Sequence, residues 1–195
     1  MESNPSAAAP VRNWELLALA VSVVALAGSL YLSLVMKLKA CPLCLYERTF
    51  MMGLVGVLLI GLVLSRDVRP GFSVLLCLPL AVAGLCVAAF HVFLELTDVL
   101  ECPTGLFGLG SAPQQSLAAF LIVTALIGVA LARSSIGTAW RTTSLGAVVL
   151  GILFSGAAIM SAPPLPQPPS EPYTTPLEGC RPTFHRAGQT SDSLL

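Results

Sequence analysis

Five long runs of apolar residues constrain what this chain can fold into. A helix that crosses the roughly 30 Å hydrocarbon core of a bilayer needs about 20 predominantly apolar residues. The runs cover Trp14–Met36, about Leu45–Leu64, about Gly71–Leu96, Ser116–Ala132 and about Ser144–Ser161. The fourth run is the shortest and lies near the lower limit for a span. We therefore expect an all-α integral membrane protein, a helical bundle of about five transmembrane helices with a four-helix core plus one extra.

The composition excludes two other classes of protein. Charged residues make up 10% of the 195 residues, whereas soluble domains carry about a quarter. The ten basic and ten acidic residues cancel, so the chain lacks the basic surface that nucleic-acid binding requires. We expect neither a soluble domain nor a nucleic acid partner.

The chain divides into two regions at the end of the fifth run. Residues 1–161 form the membrane domain, and residues 162–195 form a proline-rich tail with eight prolines between positions 162 and 182. Such a segment prefers an extended polyproline II conformation. We expect the tail to act as a semi-stiff arm that carries Cys180 away from the end of the fifth helix.

Positive charges near the helix ends indicate an orientation in the membrane. If the N-terminus is cytoplasmic, Lys37 and Lys39 lie outside, together with the half-immersed Arg48, whereas five arginines lie inside. Those five are Arg12, Arg66, Arg69, Arg133 and Arg141. Because basic residues near helix ends are enriched on the cytoplasmic side, we expect a cytoplasmic N-terminus and, after five crossings, a C-terminus on the other side.

The cysteines support the same orientation. Cys41 and Cys44 follow the first crossing, Cys102 follows the third, and Cys180 follows the fifth. All four therefore lie on one face of the membrane. With a cytoplasmic N-terminus this is the oxidising face, where disulfides persist.

The two cysteines of this face that stand alone in their segments are Cys102 and Cys180. Pairing them is the economical interpretation. A bridge between a glycine-rich loop and a proline-rich tail would join mobile elements, as an exchange disulfide requires. The alternative is a purely structural disulfide.

The tetrapeptide Cys41-Pro-Leu-Cys44 is the most informative motif in the chain. Two cysteines separated by two residues can close a small disulfide ring or chelate a metal ion. A structural zinc site would need a second close pair, which the sequence lacks, so we assign no metal ion. At the start of a helix, Cys44 also experiences the positive end of the helix dipole, which favours a thiolate. We interpret the motif as redox-active, with a passive structural disulfide as the alternative.

Arg48 follows Cys44 by one helical turn on the same helix face. A guanidinium at the apolar boundary needs a path to water or an acidic partner. One interpretation is an interfacial anchor paired with Glu47. The other is a hydrogen-bond donor to an oxygen that becomes negative during electron transfer.

His91 is an ionisable residue inside the third run, about five residues from its outer end. Such a residue is a functional candidate by default. Glu95 stands four residues later on the same helix face and could fix the tautomer of His91. The alternatives are a core histidine with satisfied hydrogen bonds and a metal site formed with a glutamate and Cys102.

The stretch from Lys39 to Arg48, KACPLCLYER, resembles the signature of the disulfide-bond formation protein B (DsbB) family. The resemblance covers roughly residues 14–102. It implies that Arg48 contacts bound quinone and that His91 and Glu47 belong to the same cofactor site. Members of that family have four helices, with both cysteines of the second pair in one loop, whereas here Cys180 lies beyond two further helices.

The resemblance implies a multi-pass enzyme of the bacterial inner membrane with a periplasmic C-terminus. It would reoxidise a periplasmic thioredoxin-fold dithiol oxidase (DsbA-like) and pass two electrons to membrane quinone, ubiquinone or menaquinone. Residues 1–161 would then be a quinone/thiol redox domain. Its catalytic cysteines would be Cys102 and Cys180, which exchange with the partner, and Cys41 and Cys44, of which Cys44 is the thiolate next to quinone.

A partner of this kind has a potential of about −120 mV, so its acceptor must be more oxidising still. One alternative is a quinone–thiol enzyme similar to vitamin K epoxide reductase, although the C-x-x-C of that family lies in a late helix. The other alternative is a non-enzymatic membrane scaffold held by structural disulfides.

Overall fold

The computed structural model describes residues 5–64, 71–134, 138–164, 167, 169 and 171–184. These residues form five α-helices that are long and apolar enough to cross a membrane. The helices are α1 (Pro5–Leu34), α2 (Pro42–Val63), α3 (Phe72–Leu96), α4 (Ala112–Arg133) and α5 (Thr138–Ser161). The structure therefore confirms the expected multi-pass, all-helical fold.

The fourth helix is longer than its apolar run indicated. It begins at Ala112 rather than at Ser116 and has 22 residues. Ser111 caps it, because its hydroxyl accepts a hydrogen bond from the Gln114 N–H while the Gln114 side chain accepts one from the Ser111 N–H. This reciprocal pair and Pro113 in the first turn are typical of a helix start. Because the first turn of α4 is polar, the hydropathy pattern did not indicate where the helix begins.

Helices α1 to α4 form a four-helix core, and α5 packs on its outside. Within the core α1 contacts α2 and α4, and α3 contacts the same two helices. Phe120 of α4 fills the space over Gly84 of α3, where an added Cβ would lie 2.0 Å from the phenyl ring. Helix α5 lies mainly against α3, with Gly151 close to the carbonyl oxygen of Pro79. The expected arrangement of four core helices plus one extra is confirmed.

One end of the bundle carries all four loop cysteines, and we call it the cysteine-bearing end. Here the tail returns to pair with the loop after α3. Strand β1 (Leu100–Glu101) pairs antiparallel with β2 (Arg181–Pro182). The backbone N–H of Thr183 extends this ribbon with a hydrogen bond to the Val99 carbonyl oxygen at 3.3 Å. The tail thus brings Cys180 back to the bundle rather than carrying it away, which corrects the expectation of a projecting arm.

Several residues used to infer orientation lie outside the described part of the chain. They are Arg66 and Arg69, and the side chain of Arg141 is likewise not described. The described helices place the four loop cysteines together at one end of the bundle.

Candidate thiol redox site

The C-x-x-C motif forms the start of α2. Cys41 is the residue before the helix, and its sulfur accepts a hydrogen bond from the Cys44 backbone N–H at 3.3 Å. Pro42 then occupies the first helical position, where its missing N–H costs nothing. The Sγ atoms of Cys41 and Cys44 are 2.9 Å apart, and both residues are free thiols. The local sequence therefore folds the motif into a close dithiol at the cysteine-bearing end of the bundle.

Cys102 and Cys180 form a disulfide. It closes the β1–β2 ribbon, because each cysteine is adjacent to a strand residue of the pair Glu101 and Arg181. The Arg181 side chain bonds the Glu101 carboxylate at 3.3 Å and lies 3.8 Å over the ring of Tyr173. The pairing is the one that the sequence favoured, but its surroundings are an ordered ribbon rather than two mobile elements.

The tail is also bonded to Lys39, which lies two residues before the C-x-x-C motif. The backbone N–H of Lys39 donates to the Glu178 carbonyl oxygen at 2.6 Å, and the two side chains form an ion pair at 2.9 Å. Gly179 packs so closely that an added Cβ would lie 2.6 Å from the Lys39 carbonyl oxygen. These contacts hold Cys180 beside the dithiol.

His91 lies between the two cysteine pairs and is fully buried. Its Nε2 is 3.7 Å from the sulfur of Cys41, 3.6 Å from that of Cys102 and 3.5 Å from that of Cys180. Because α3 carries His91 one to two turns below its end, a single imidazole nitrogen faces sulfur atoms from three segments of the chain.

The carboxylate that orients His91 is that of Glu47, not that of Glu95. Glu47 Oε1 lies 2.9 Å from His91 Nδ1, and the Glu47 side chain is buried. Glu95 instead accepts a hydrogen bond from the Ser111 hydroxyl at 2.6 Å, at the start of α4. The expectation that Glu95 fixes the tautomer of His91 is therefore wrong, because packing of α2 on α3 supplies a nearer acid.

Cys41 is the acidic thiol of the pair, which corrects the expectation that Cys44 is the thiolate. Its pKa is lowered to about 4, first of all by the hydrogen bond with the Cys44 thiol. Burial raises this pKa, and contact with His91 lowers it again. Cys41 is therefore a thiolate at neutral pH, next to the Cys102–Cys180 disulfide.

Arg48 bonds to α1 and not to Glu47, which corrects the expectation of a Glu47–Arg48 pair. Its Nε donates to the Ser29 hydroxyl at 3.1 Å, and its Nη2 donates to the Ser29 carbonyl oxygen at 3.1 Å and to the Ser33 hydroxyl at 2.6 Å. Within the described residues, no acceptor is bonded to Nη1. Ser29 and Ser33 were not predicted as site residues, although two serines one turn apart in an apolar run are a usable signal.

A cavity of about 220 Å³ lies between α1, α2 and α4 beside the dithiol. Its polar wall includes Cys44, Glu47, Arg48 and the two serines that hold Arg48. The rest is mostly apolar and includes Val24, Leu26, Met51, Leu106, Ala119 and Phe120. Among the described residues, His91 does not line this cavity; it lies behind Glu47 and faces the sulfurs. Of the dithiol, Cys44 lines the cavity and Cys41 does not, and Cys180 of the disulfide lines the cavity as well.

The same cluster contains a set of metal-ligand atoms. The sulfurs of Cys41, Cys44 and Cys180 and a ring nitrogen of His91 all lie within 4.8 Å of one another. In the structure Cys180 is part of a disulfide, and a disulfide sulfur lacks the thiolate charge that metal ions select.

The fold and the site together define a class: a multi-pass helical membrane protein with a partly buried dithiol next to a disulfide. The chain belongs to the family of disulfide bond formation protein DsbB, whose model matches residues 11–115, more than half of the chain. This match confirms the resemblance drawn from the sequence. Cys180 and α5 lie beyond the matched segment.

Curated relatives carry names of the same kind. The chain is 36% identical over 88 residues to the SPbeta prophage-derived disulfide bond formation protein B of Bacillus subtilis, covering 45% of this chain and 57% of the relative. It is 38% identical over 76 residues to the probable disulfide formation protein C 1 of Bacillus anthracis, covering 38% and 50%. It is 31% identical over 118 residues to the probable disulfide formation protein of Chlamydia muridarum, covering 55% and 84%.

The chain spans about half the length of the first two of these relatives. No solved structure matches the chain. The comparisons therefore show membership of the DsbB family, and these relatives are named disulfide formation proteins.

Proposed function

We propose that this protein reoxidises a thioredoxin-fold dithiol oxidase outside the cytoplasm and passes the electrons through Cys41 and Cys44 to membrane quinone. The observation that carries the proposal is the placement of the dithiol between two different neighbours. Cys41 lies beside the Cys102–Cys180 disulfide, and Cys44 lies on the wall of the cavity that contains Arg48. A passive structural cysteine pair has no use for this arrangement.

The first half of the reaction is thiol–disulfide exchange between the partner and the outer pair, Cys102 and Cys180. A thiolate of the partner attacks one sulfur of this disulfide, and the second thiol of the partner then resolves the mixed disulfide. The partner leaves oxidised, having given two electrons and two protons to the outer pair. The ribbon presents this disulfide at the cysteine-bearing end of the bundle.

The second half moves the two electrons inward. When Cys41 and Cys44 are oxidised, a thiolate of the outer pair attacks their disulfide, and the outer pair closes again as the inner pair is reduced. Free Cys41 and Cys44 together with a closed outer disulfide are the arrangement that this exchange would produce. Cys180 is suited to exchange with Cys41, because their sulfurs lie within 4.8 Å of each other.

His91 and Glu47 handle the protons of this exchange. Glu47 accepts a hydrogen bond from His91 Nδ1, so Nε2 is the atom that faces Cys41, Cys102 and Cys180. A buried imidazole oriented by a carboxylate can give a proton to a leaving thiolate and take one from an attacking thiol. We assign His91 this role and Glu47 the role of orienting it.

The cavity fits the head group of a quinone. A volume of about 220 Å³ is smaller than the roughly 300–1,000 Å³ of sites that enclose a whole drug-sized ligand, which agrees with a single ring whose tail stays in lipid. Quinone, when bound, accepts the two electrons and two protons that the dithiol releases. Arg48 would hold a ring oxygen through Nη1 while Ser29 and Ser33 fix the rest of the guanidinium.

We place the protein in the bacterial inner membrane, with the N-terminus in the cytoplasm and the cysteine-bearing end in the periplasm. Disulfide chemistry requires an oxidising compartment, and the positive charges of the sequence favour the same orientation. Five helices then leave the tail and its Cys180 on the periplasmic side, where a soluble partner can dock.

The test is turnover by the purified chain in detergent. A reduced thioredoxin-fold dithiol oxidase is the electron donor, and loss of quinone absorbance is followed with ubiquinone and with menaquinone analogues. We expect Cys41→Ser and Cys44→Ser each to abolish quinone reduction without loss of folded protein, because helix packing holds the bundle. Cys86→Ala, a substitution in α3 away from the site, should retain wild-type turnover. Turnover by either serine variant would refute the redox role, and inactivity of the wild type with every quinone would favour a scaffold.

A further inference from the structure

We propose that the fully reduced chain binds one thiophilic divalent cation, such as Zn²⁺, through Cys41, Cys44, Cys180 and Nε2 of His91. The bound ion would hold the redox site inactive. Binding of the ion follows from the ligand geometry alone, whereas its inhibitory effect rests on the function proposed above.

The distances between the ligand atoms match a tetrahedral zinc site. With Zn–S bonds of about 2.3 Å and Zn–N bonds of about 2.05 Å, a sulfur and a nitrogen on one tetrahedron are about 3.6 Å apart. His91 Nε2 lies 3.7 Å from the Cys41 sulfur and 3.5 Å from the Cys180 sulfur. The Cys41 and Cys44 sulfurs, now 2.9 Å apart, would separate to about 3.8 Å. Rotation of one thiol side chain provides such a change.

The surroundings of His91 are those of a metal ligand. A ligating histidine normally donates its other ring N–H to a carboxylate, which fixes the tautomer and strengthens the ligand. Here Glu47 Oε1 lies 2.9 Å from Nδ1 and leaves Nε2 directed at the sulfurs. The C-x-x-C spacing of the other two ligands is the spacing of a common zinc half-site.

Opening of the outer disulfide completes the ligand set. A dithiol gives two electrons and two protons to Cys102–Cys180 and itself becomes a disulfide, which leaves Cys180 as a thiol. The cation then displaces the thiol protons to solvent and binds three thiolates and one neutral imidazole. Three thiolates against a charge of +2 leave the site with one net negative charge. This state arises when dithiols accumulate faster than quinone removes their electrons, so the ion would act on a reduced, idle enzyme.

Co²⁺ alone is the probe for this site, because tetrahedral thiolate coordination gives it visible absorption bands. The full chain in detergent is reduced with a phosphine, and the reductant is then removed under anaerobic conditions. The reduced chain is titrated with Co²⁺, and the bound Co²⁺ is afterwards displaced with Zn²⁺. We expect one equivalent to bind with the tetrahedral spectrum. The chain with the outer disulfide intact should bind at least tenfold more weakly. Equal binding by the two redox forms would overturn the proposal.

Variants test whether these residues are the ligands. Cys180→Ser and the double variant Cys41→Ser/Cys44→Ser should lose the tetrahedral spectrum, whereas Cys86→Ala should keep it. Glu47→Gln, which retains the shape of the side chain, should weaken binding by about 10- to 100-fold. Circular dichroism and gel filtration establish that each variant is folded. Retention of the spectrum by the folded double variant would exclude the site.

The two proposals can fail separately. Binding of Co²⁺ by a chain that never reduces quinone would retain the metal site and remove its inhibitory effect along with the proposed function. Quinone reduction by a chain that binds no Co²⁺ when reduced would retain the function and refute the metal site. Where both hold, Zn²⁺ added to the reduced enzyme should suppress the first turnover, and a chelator should restore it.

Discussion

In the proposed function, Arg48 has a structural task, its bonds to α1, and a chemical task, its contact with quinone. Its Nε and Nη2 bond to Ser29 and Ser33 of α1, which fixes the guanidinium at the edge of the cavity. Nη1 has no bonded acceptor among the described residues and remains for an oxygen in the cavity. A lysine has one terminal nitrogen and lacks the planar fork, so it cannot bond to both serines and also donate into the cavity in a fixed direction.

We therefore expect Arg48→Lys to raise the apparent KM for quinone while exchange with the partner dithiol is largely unchanged. Loss of one hydrogen bond to a charged group costs about 1.5–3 kcal/mol, which corresponds to roughly ten- to a hundred-fold. Steady-state assays that vary quinone and partner separately measure the two effects. Arg133→Lys, an exposed substitution at the end of α4, is the control. An unchanged quinone dependence would return Arg48 to the role of an interfacial anchor.

Cys41 offers a second prediction at this scale. Because its pKa is lowered to about 4, it is already a thiolate throughout the range from about pH 6 to 8. Alkylation of Cys41 by iodoacetamide should then proceed at a constant rate across this range. In Cys44→Ala, the hydrogen bond that contributes most to the lowering is absent, so the pKa rises and the thiolate fraction falls. Alkylation of that variant should accelerate with pH, up to about tenfold per unit below the new pKa.

Peptide mass spectrometry measures alkylation at Cys41 specifically. A wild-type rate that itself rises about tenfold per pH unit would contradict the thiolate assignment, because it would place the pKa of Cys41 above the range tested.

The sequence located the cysteine pairs but not the partners of the ionisable residues. Spacing along one helix suggested Glu95 as the partner of His91, and adjacency suggested Glu47 as the partner of Arg48. The structure pairs Glu47 with His91 and Arg48 with serines of α1. Contacts within one helix follow from its period, whereas contacts between helices depend on their rotation and depth, which apolar periodicity does not specify.

At the scale of the elements, the β1–β2 ribbon and the tail determine where the outer disulfide lies. The tail approaches the α1–α2 connection at Gly179, where an added Cβ would lie 2.6 Å from the Lys39 carbonyl oxygen. Since the obstacle is a backbone atom, Gly179→Ala must displace the tail. We expect slower partner-dependent turnover, by roughly 5- to 150-fold for an overpacking cost of about 1–3 kcal/mol.

This change should leave quinone reduction by a small dithiol that reacts directly with the inner pair unaffected. Gly156→Ala on α5 is the matched control, because an added Cβ there meets no atom within 4 Å. Turnover of both variants is compared with the partner and with dithiothreitol. An equal loss with both donors would mean that Gly179 supports the fold and not the position of Cys180.

Helix count and arrangement were predictable because each span must satisfy the same length and polarity requirement. Helix ends were less so: α4 begins in a polar first turn whose capping box, at Ser111 and Gln114, adds nothing to the hydropathy. The Cys102–Cys180 pairing was predictable from the cysteine positions, but the path that the tail takes along the cysteine-bearing end was not. That path depends on a two-residue ribbon and two ion pairs, Lys39 with Glu178 and Glu101 with Arg181, whose members are far apart in the sequence.

At the scale of the whole molecule, the fifth helix returns the chain to the cysteine-bearing end, where Cys180 can pair with Cys102. The family match ends at residue 115, before α5 and before Cys180. One further pair of crossings, α4 and α5, returns the chain to the end where α3 left it, and the ribbon then joins Cys180 to Cys102. An odd number of helices is therefore required for the outer disulfide to form beside the inner pair.

This requirement predicts the topology of the protein in the cell. Five crossings from a cytoplasmic N-terminus place the C-terminus in the periplasm, and the disulfide persists only in that oxidising compartment. Alkaline phosphatase, which becomes active only outside the cytoplasm, should be active when fused to the C-terminus of the full chain. A control fusion after Arg133, at the end of α4, has made four crossings and should be inactive. An inactive C-terminal fusion with an active control would place all four loop cysteines in the cytoplasm, where exchange with a periplasmic oxidase is impossible.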